Sequence, residues 1–214
     1  MPKNLIFKLR HYDTGEGRHT ANIKGGFTVS KFKNVISALS IASILTSSSA
    51  GLVFASVPSD VIGTEYKDAV QVLSALGIMV GDGGTGLFRP TDEIKRSEVT
   101  KVAVALKGLS DVALSSASGS NFLDVANDHW AKGYINVGMT EGLIIGDGDG
   151  NFRPNDRVTY AEAVTMLIRA LGYEPQAASR GGYPTGYMVT ASSNGLTKGV
   201  SSSASKAINR GDVA

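Results

Sequence analysis

One stretch of this chain is written twice. Residues 77–106 read GIMVGDGGTGLFRPTDEIKRSEVTKVAVAL and residues 142–170 read GLIIGDGDGNFRPNDRVTYAEAVTMLIRA, with a single extra residue in the first copy. Upstream, Asp60-Val61 matches Asp124-Val125 at nearly the same offset. A fainter third copy begins near Tyr183. There Gly195 to Val200 stands for Gly142 to Asp147, and Asn209-Arg210-Gly211-Asp212 stands for Thr159-Tyr160-Ala161-Glu162. Self-similarity of this kind limits the fold to an array whose units lean on one another, because one short unit cannot bury its apolar face alone.

The second copy shows what a unit is. Trp130, Tyr134, Val137 and Met139 mark a short amphipathic helix that Gly142 ends. Leu143 and Ile144 then turn inward, and the Asp/Gly run from Gly146 to Asn151 must turn tightly. Phe152 plugs the core and Pro154 stops any continued helix. Thr159 sits at an N-cap with Glu162 three residues on, a capping box. Ala163, Met166, Leu167, Ala170 and Leu171 follow at helical spacing until Gly172. In the first copy Glu98, Val99, Val102, Ala103 and Leu106 take those places. The expected fold class is therefore mainly α, built of tandem helix–loop–helix units of about 50 residues. The units fall at 58–107, 121–172 and 179–214, with a Ser- and Ala-rich linker at 109–120.

Composition narrows the chemistry. The 214 residues include no cysteine, which removes disulfides, zinc–thiolate sites, iron–sulfur ligation and cysteine nucleophiles. Of the 21 Lys/Arg and 19 Asp/Glu, residues 1–55 hold seven and two, leaving fourteen and seventeen for the remainder. The body is thus mildly acidic and has no basic footprint for nucleic acid. Lys31 and Lys33, the apolar run Val35 to Leu45 and the sequence Val53-Phe54-Ala55 read as a secretory signal peptide over 29–55, cleaved after Ala55. Residues 1–28 are too long for the front of such a signal, so they are either a mis-assigned start or an unusual leader.

Other motifs fail on context. Gly81-x-Gly83-x-x-Gly86 matches a dinucleotide fingerprint but follows a helix, and Pro90 falls where a phosphate-binding helix would begin. Asp147, Asp149 and Asn151 imitate the start of a calcium loop. Phe152 stands at its sixth position and Val158 at its twelfth, so it is no EF-hand, although a weak calcium contact stays open. His129 is the single histidine after residue 55. No metal site, cofactor or activated nucleophile is expected, and the chain reads as a non-enzyme.

The order Asp-Val, an aromatic-bearing helix, Gly-Ile/Leu-x-x-Gly, Asp-Gly-x-Phe-Arg-Pro and a Thr-Arg-Ala-Glu-like tetrad resembles the S-layer homology repeat over about 58–214. The resemblance implies three repeats in a pseudo-threefold helical spindle. It also implies non-covalent attachment of a secreted or surface-layer protein to pyruvylated secondary cell-wall polysaccharide of a Gram-positive bacterium. The implied setting is the cell wall, with no nucleic-acid partner, no membrane once the signal is removed, and surface-layer self-association as a further option. The tetrads depart from the pattern: Lys95-Arg96-Ser97-Glu98, Thr159-Tyr160-Ala161-Glu162 and Asn209-Arg210-Gly211-Asp212. By carry-over Arg96 and Arg210 are the anion contacts and Trp130 the sugar-stacking face, with Tyr183 at its equivalent. Tyr160 occupies the tetrad's Arg position without a charge, so its groove is expected to be weak or empty. Glu98, Glu162 and Asp212 read first as helix-capping acids. The third repeat, which stops where its second helix should start, reads as truncated. The alternative function is the anchor of a secreted wall or polysaccharide hydrolase whose catalytic domain lies beyond residue 214.

Overall fold

The computed structural model describes residues 56–116 and 118–214; the leader and signal-peptide readings lie outside them. After a 3₁₀ turn at Ser59–Val61 come eight helices. They are α1 (Lys67–Ala75), α2 (Arg96–Leu106), α3 (Ser110–Ser115), α4 (Lys132–Thr140), α5 (Tyr160–Ala170), α6 (Glu174–Ser179), α7 (Thr185–Ser193) and α8 (Arg210–Val213). The mainly helical class expected from the repeats is what the described residues adopt. Among the described residues the extended pairings are three isolated bridges.

Those bridges organise the fold. An α-helix leaves its first N–H groups without intrahelical partners. At the start of α2, Arg96 N and Ser97 N donate to the carbonyls of Asp156 and Pro154 in the second copy, at 2.9 and 3.0 Å. Tyr160 N and Ala161 N at the start of α5 donate to Lys206 and Ala204 in the third, at 2.8 and 3.0 Å. Arg210 N and Gly211 N at the start of α8 donate back to Asp92 and Pro90 in the first, at 2.9 and 2.8 Å. Inside these, Ile94 N bonds to Ile208 O, Ile208 N to Val158 O and Val158 N to Ile94 O, at 3.0, 3.1 and 3.1 Å. The three copies therefore close a hydrogen-bonded ring. Ile94, Val158 and Ile208 are buried at its centre.

Around the ring α2 packs against α4 and α5, and α5 against α7. Phe88 and Phe152, the two plugs read from the sequence, are fully buried, as are Leu143 and Ile144. Each Phe-Arg pair is held by an aspartate 28 residues earlier: Asp60 accepts from Phe88 N and Arg89 N, at 3.0 and 2.6 Å. Asp124 does the same for Phe152 N and Arg153 N, at 2.8 and 2.6 Å. That clamp aims two successive N–H groups at one carboxylate, and it holds Arg89 and Arg153 at positive φ, 57° and 59°. Such a conformation is costly for a residue with a Cβ and needs the surrounding bonds to hold it.

The segment 109–120, expected to be a linker, contains helix α3, which packs on α4. The contact is close: a Cβ on Gly133 of α4 would run into the carbonyl of Ala113. The same meeting recurs between Gly186 of α7 and the carbonyl of Ala177 in α6. A short connecting helix thus precedes the first helix of the second and third units, and composition alone conceals it because Ser and Ala suit both linkers and close helix contacts.

Candidate functional site

The ring brings each tetrad against the next copy. Glu98 uses one oxygen, Oε2, to accept from Lys95 N at 2.8 Å, and the other, Oε1, to accept from Arg210 Nη1 at 2.7 Å. Glu162 does the same, taking Thr159 N on Oε2 at 2.9 Å and Arg96 Nη1 on Oε1 at 3.3 Å. The capping role read from the sequence is present, and a second role across the seam accompanies it. At α5 the box is complete, since Thr159 Oγ1 also accepts from Glu162 N at 3.3 Å. At α2 only the glutamate half exists, because the ammonium of Lys95 has no lone pair to offer.

Both tetrad arginines are largely withdrawn from solvent, Arg96 at 9% exposure and Arg210 at 8%. Arg210 donates from Nε to Phe88 O at 2.8 Å and from Nη2 to Val80 O at 3.3 Å, and its Cζ lies 5.0 Å from the Phe88 ring centroid. Arg96 donates from Nη2 to Ile145 O at 2.8 Å and lies 4.9 Å from the Phe152 centroid. Its Nε is buried and has no partner among the described residues. Burial pushes the Arg96 guanidinium below its ordinary pKa, and the neighbouring Glu162 opposes that shift. A residue type that the resemblance makes an anion contact therefore also rivets adjacent copies together.

The third seam is different. Tyr160 stands where the other copies have arginine and is buried. Its opposite acid, Asp212, accepts instead from Tyr66 Oη at 3.2 Å, while Asn209 Oδ1 caps α8 by accepting from Asp212 N at 2.7 Å. The Tyr66 ring lies so close over Gly211 that an added Cβ would sit 2.7 Å from it. Tyr66 holds the same place in the first copy that Trp130 holds in the second. Burial, reinforced by Asp212, pushes the Tyr66 phenol up in pKa, so it stays a donor.

A groove of about 500 Å³ opens between the first and third copies. Its walls include the loop from Ile78 to Gly83, Arg89, Glu98, Lys101, Trp130 and Arg210. Every copy contributes, with Trp130 coming from the second. Trp130 is 55% exposed and its indole stacks on His129 with centroids 5.9 Å apart. It precedes α4 instead of lying within it, and its ring leans on Tyr134 of that helix with centroids 6.5 Å apart while keeping one face open. Of the residues predicted from sequence, the groove unites Trp130, Arg210 and Glu98. Arg96 and Glu162 form a separate seam, Tyr160 and Asp212 line a different, mostly apolar cavity of about 440 Å³, and Tyr183 is exposed. Lys101 and Tyr66 escaped sequence reasoning. The signal for Lys101 was available, because the equivalent position in the second copy is Thr165.

Among the described residues no group of three or more potential metal ligands gathers, and no helix is long and apolar enough to cross a membrane. Fold and groove together define a ring of helical repeats that offers an aromatic and charged cleft between its units. Residues 59–100 and 121–164 match the S-layer homology domain, so the chain carries two repeats of that family. It is 37% identical over 134 residues to a surface layer protein of Brevibacillus choshinensis, covering 63% of this chain and 12% of that protein. It is 34% identical to a middle cell wall protein of Brevibacillus brevis, over 70% of this chain and 14% of the relative. With a cell surface protein of Thermoanaerobacter kivui the identity is 33%, over 87% of this chain and 23% of the relative. The chain thus spans under a quarter of the length of these relatives.

Proposed function

We propose that this chain anchors a surface protein to the bacterial cell wall by binding wall polysaccharide non-covalently in the groove between its first and third copies. The observation that carries the reading is the exposed indole of Trp130 on the wall of a groove that also holds Arg210, Arg89 and Lys101. An aromatic face suits the apolar side of a sugar ring, and the cations suit an acidic substituent such as a pyruvate ketal. The family match and the surface and cell-wall relatives support the same reading. In it the three copies form a pseudo-threefold spindle around the hydrogen-bonded ring, the protein is secreted, and its setting is the wall or surface layer of a Gram-positive bacterium. Arg96 and Tyr183 are assigned to a second, lesser contact on another seam, and Tyr160 leaves the last seam without a tetrad arginine.

The test is retention of the full chain on purified cell walls that have not seen hydrofluoric acid, with free wall polysaccharide as competitor. Trp130→Ala is expected to reduce retention at least tenfold while leaving the circular dichroism spectrum and Tm unchanged. Failure of the native chain to stay on such walls would reject the reading.

A further inference from the structure

The groove between the first and third copies differs from the Arg96 seam in one side chain, a lysine that has no acidic partner. Five ionisable side chains line it: Asp82, Arg89, Glu98, Lys101 and Arg210. Arg210 is paired with Glu98 at 2.7 Å. Arg89 is paired with Asp82 at 3.6 Å and with Asp92, just outside, at 3.8 Å. Both arginines therefore have a carboxylate partner, and Lys101 is the cation lining the groove that lacks one. Among the described residues Lys101 has no carboxylate within 4 Å, and no hydrogen bond holds its ammonium.

The Arg96 seam has no such lysine. There Arg96 pairs with Glu162 at 3.3 Å and Arg153 with Asp147 at 3.3 Å. The position corresponding to Lys101 is Thr165, which is buried and donates its hydroxyl to Ala161 O at 2.7 Å. Arg210 itself has three nitrogens engaged inside the protein. Drawing its guanidinium toward a ligand would strand Glu98, and breaking a buried pair from one side is costly. A lysine ammonium on a flexible stem has neither restraint, and its three donors can follow a carboxylate.

We infer that Lys101 is the specificity-determining cation of the groove: it takes the carboxylate of a sugar whose ring lies on Trp130, while Arg210 and Glu98 hold the wall of the groove in place. This inference rests on the wall-binding reading above and goes further by assigning the charge recognition to a residue outside the tetrad.

The experiment compares the full chain with Lys101→Gln and Lys101→Arg, binding to polysaccharide purified from Brevibacillus brevis walls, native and with its carboxylates reduced to alcohols. Lys101→Gln is expected to weaken binding to the native polysaccharide roughly tenfold or more, as loss of a charge-assisted contact should. Lys101→Arg should recover most of that loss. On the carboxyl-reduced polysaccharide the native chain should fall to the level of Lys101→Gln, and the variant should lose little more. If the native chain binds and Lys101→Gln binds equally well, or if reduction weakens both by the same factor, the assignment to Lys101 is overturned while wall binding stands. If the native chain binds neither polysaccharide nor walls, the functional reading falls and this inference with it.

Discussion

At the scale of single residues, the aspartate clamps set an acid limit on the fold. Burial disfavours the charged form of Asp60, but the hydrogen bonds from Phe88 N and Arg89 N, with the charge of Arg89, outweigh it and hold the carboxyl below the usual carboxylate range. The folded pKa therefore lies under the unfolded value of about 3.9. The resulting stabilisation is present above that unfolded value and is lost as pH falls through the lower folded one. Urea midpoints should be flat between about pH 7 and 5 as far as this group is concerned, and should drop below about pH 4. Asp60→Asn should be less stable at neutral pH and show a shallower acid limb. Equal acid limbs in the two proteins would remove Asp60 as a cause. The same residue-level view changes how the tetrad arginines can be studied. Replacing Arg210 by alanine would loosen a seam as well as a groove, so loss of binding in that variant says little about contact with ligand. Trp130 and Lys101 are the cleaner probes because neither is committed to the seams.

Among elements, the least obvious are the connecting helices α3 and α6. Each approaches the following first helix at a glycine, Gly133 or Gly186, whose missing Cβ leaves room for a carbonyl. Gly133→Ala should push α3 away from α4 and destabilise the chain by about 1–3 kcal/mol, the usual penalty for overpacking at a tight contact. Thermal unfolding would measure it, and an unchanged Tm would mean that the contact has slack. Sequence reading reached the second helices well, because Thr159 with Glu162 and the 3.6-residue spacing of Ala163, Met166 and Ala170 are local signals. It passed over α3, since six residues rich in Ser and Ala carry too little pattern to separate a short helix from a linker. It also read Trp130 as part of the first helix, whereas the helix begins at Lys132 and leaves the indole outside.

For the whole molecule, the ring of Ile94, Val158 and Ile208 makes the three copies interdependent. The starts of α2, α5 and α8 each obtain acceptors from a neighbouring copy, and the last copy returns the bond to the first. No copy can leave without stranding donors on another. The amides of Ile94, Val158 and Ile208 should therefore exchange with solvent at similar, slow rates, through the same global opening. Protection that differed widely among the three, measured by native-state hydrogen exchange, would show that the copies open separately.

What the sequence determined by itself is the unit: its turns, its aromatic plug, its capped second helix and the fact that it recurs. Those depend on residues within a few positions of one another, where glycine conformations, capping and helical period act directly. Only the tertiary structure decided which charges are spent and which are free. Arg210 and Glu98 are 112 positions apart and Arg96 and Glu162 are 66 apart, and closure of the ring makes each a pair. That closure gives the two tetrad arginines a role in holding the copies together, and it leaves Lys101, unremarkable in the sequence, as the cation of the groove without an acidic partner. The physical reason is that a side chain's charge is available to a ligand only if the fold supplies it with no nearer partner.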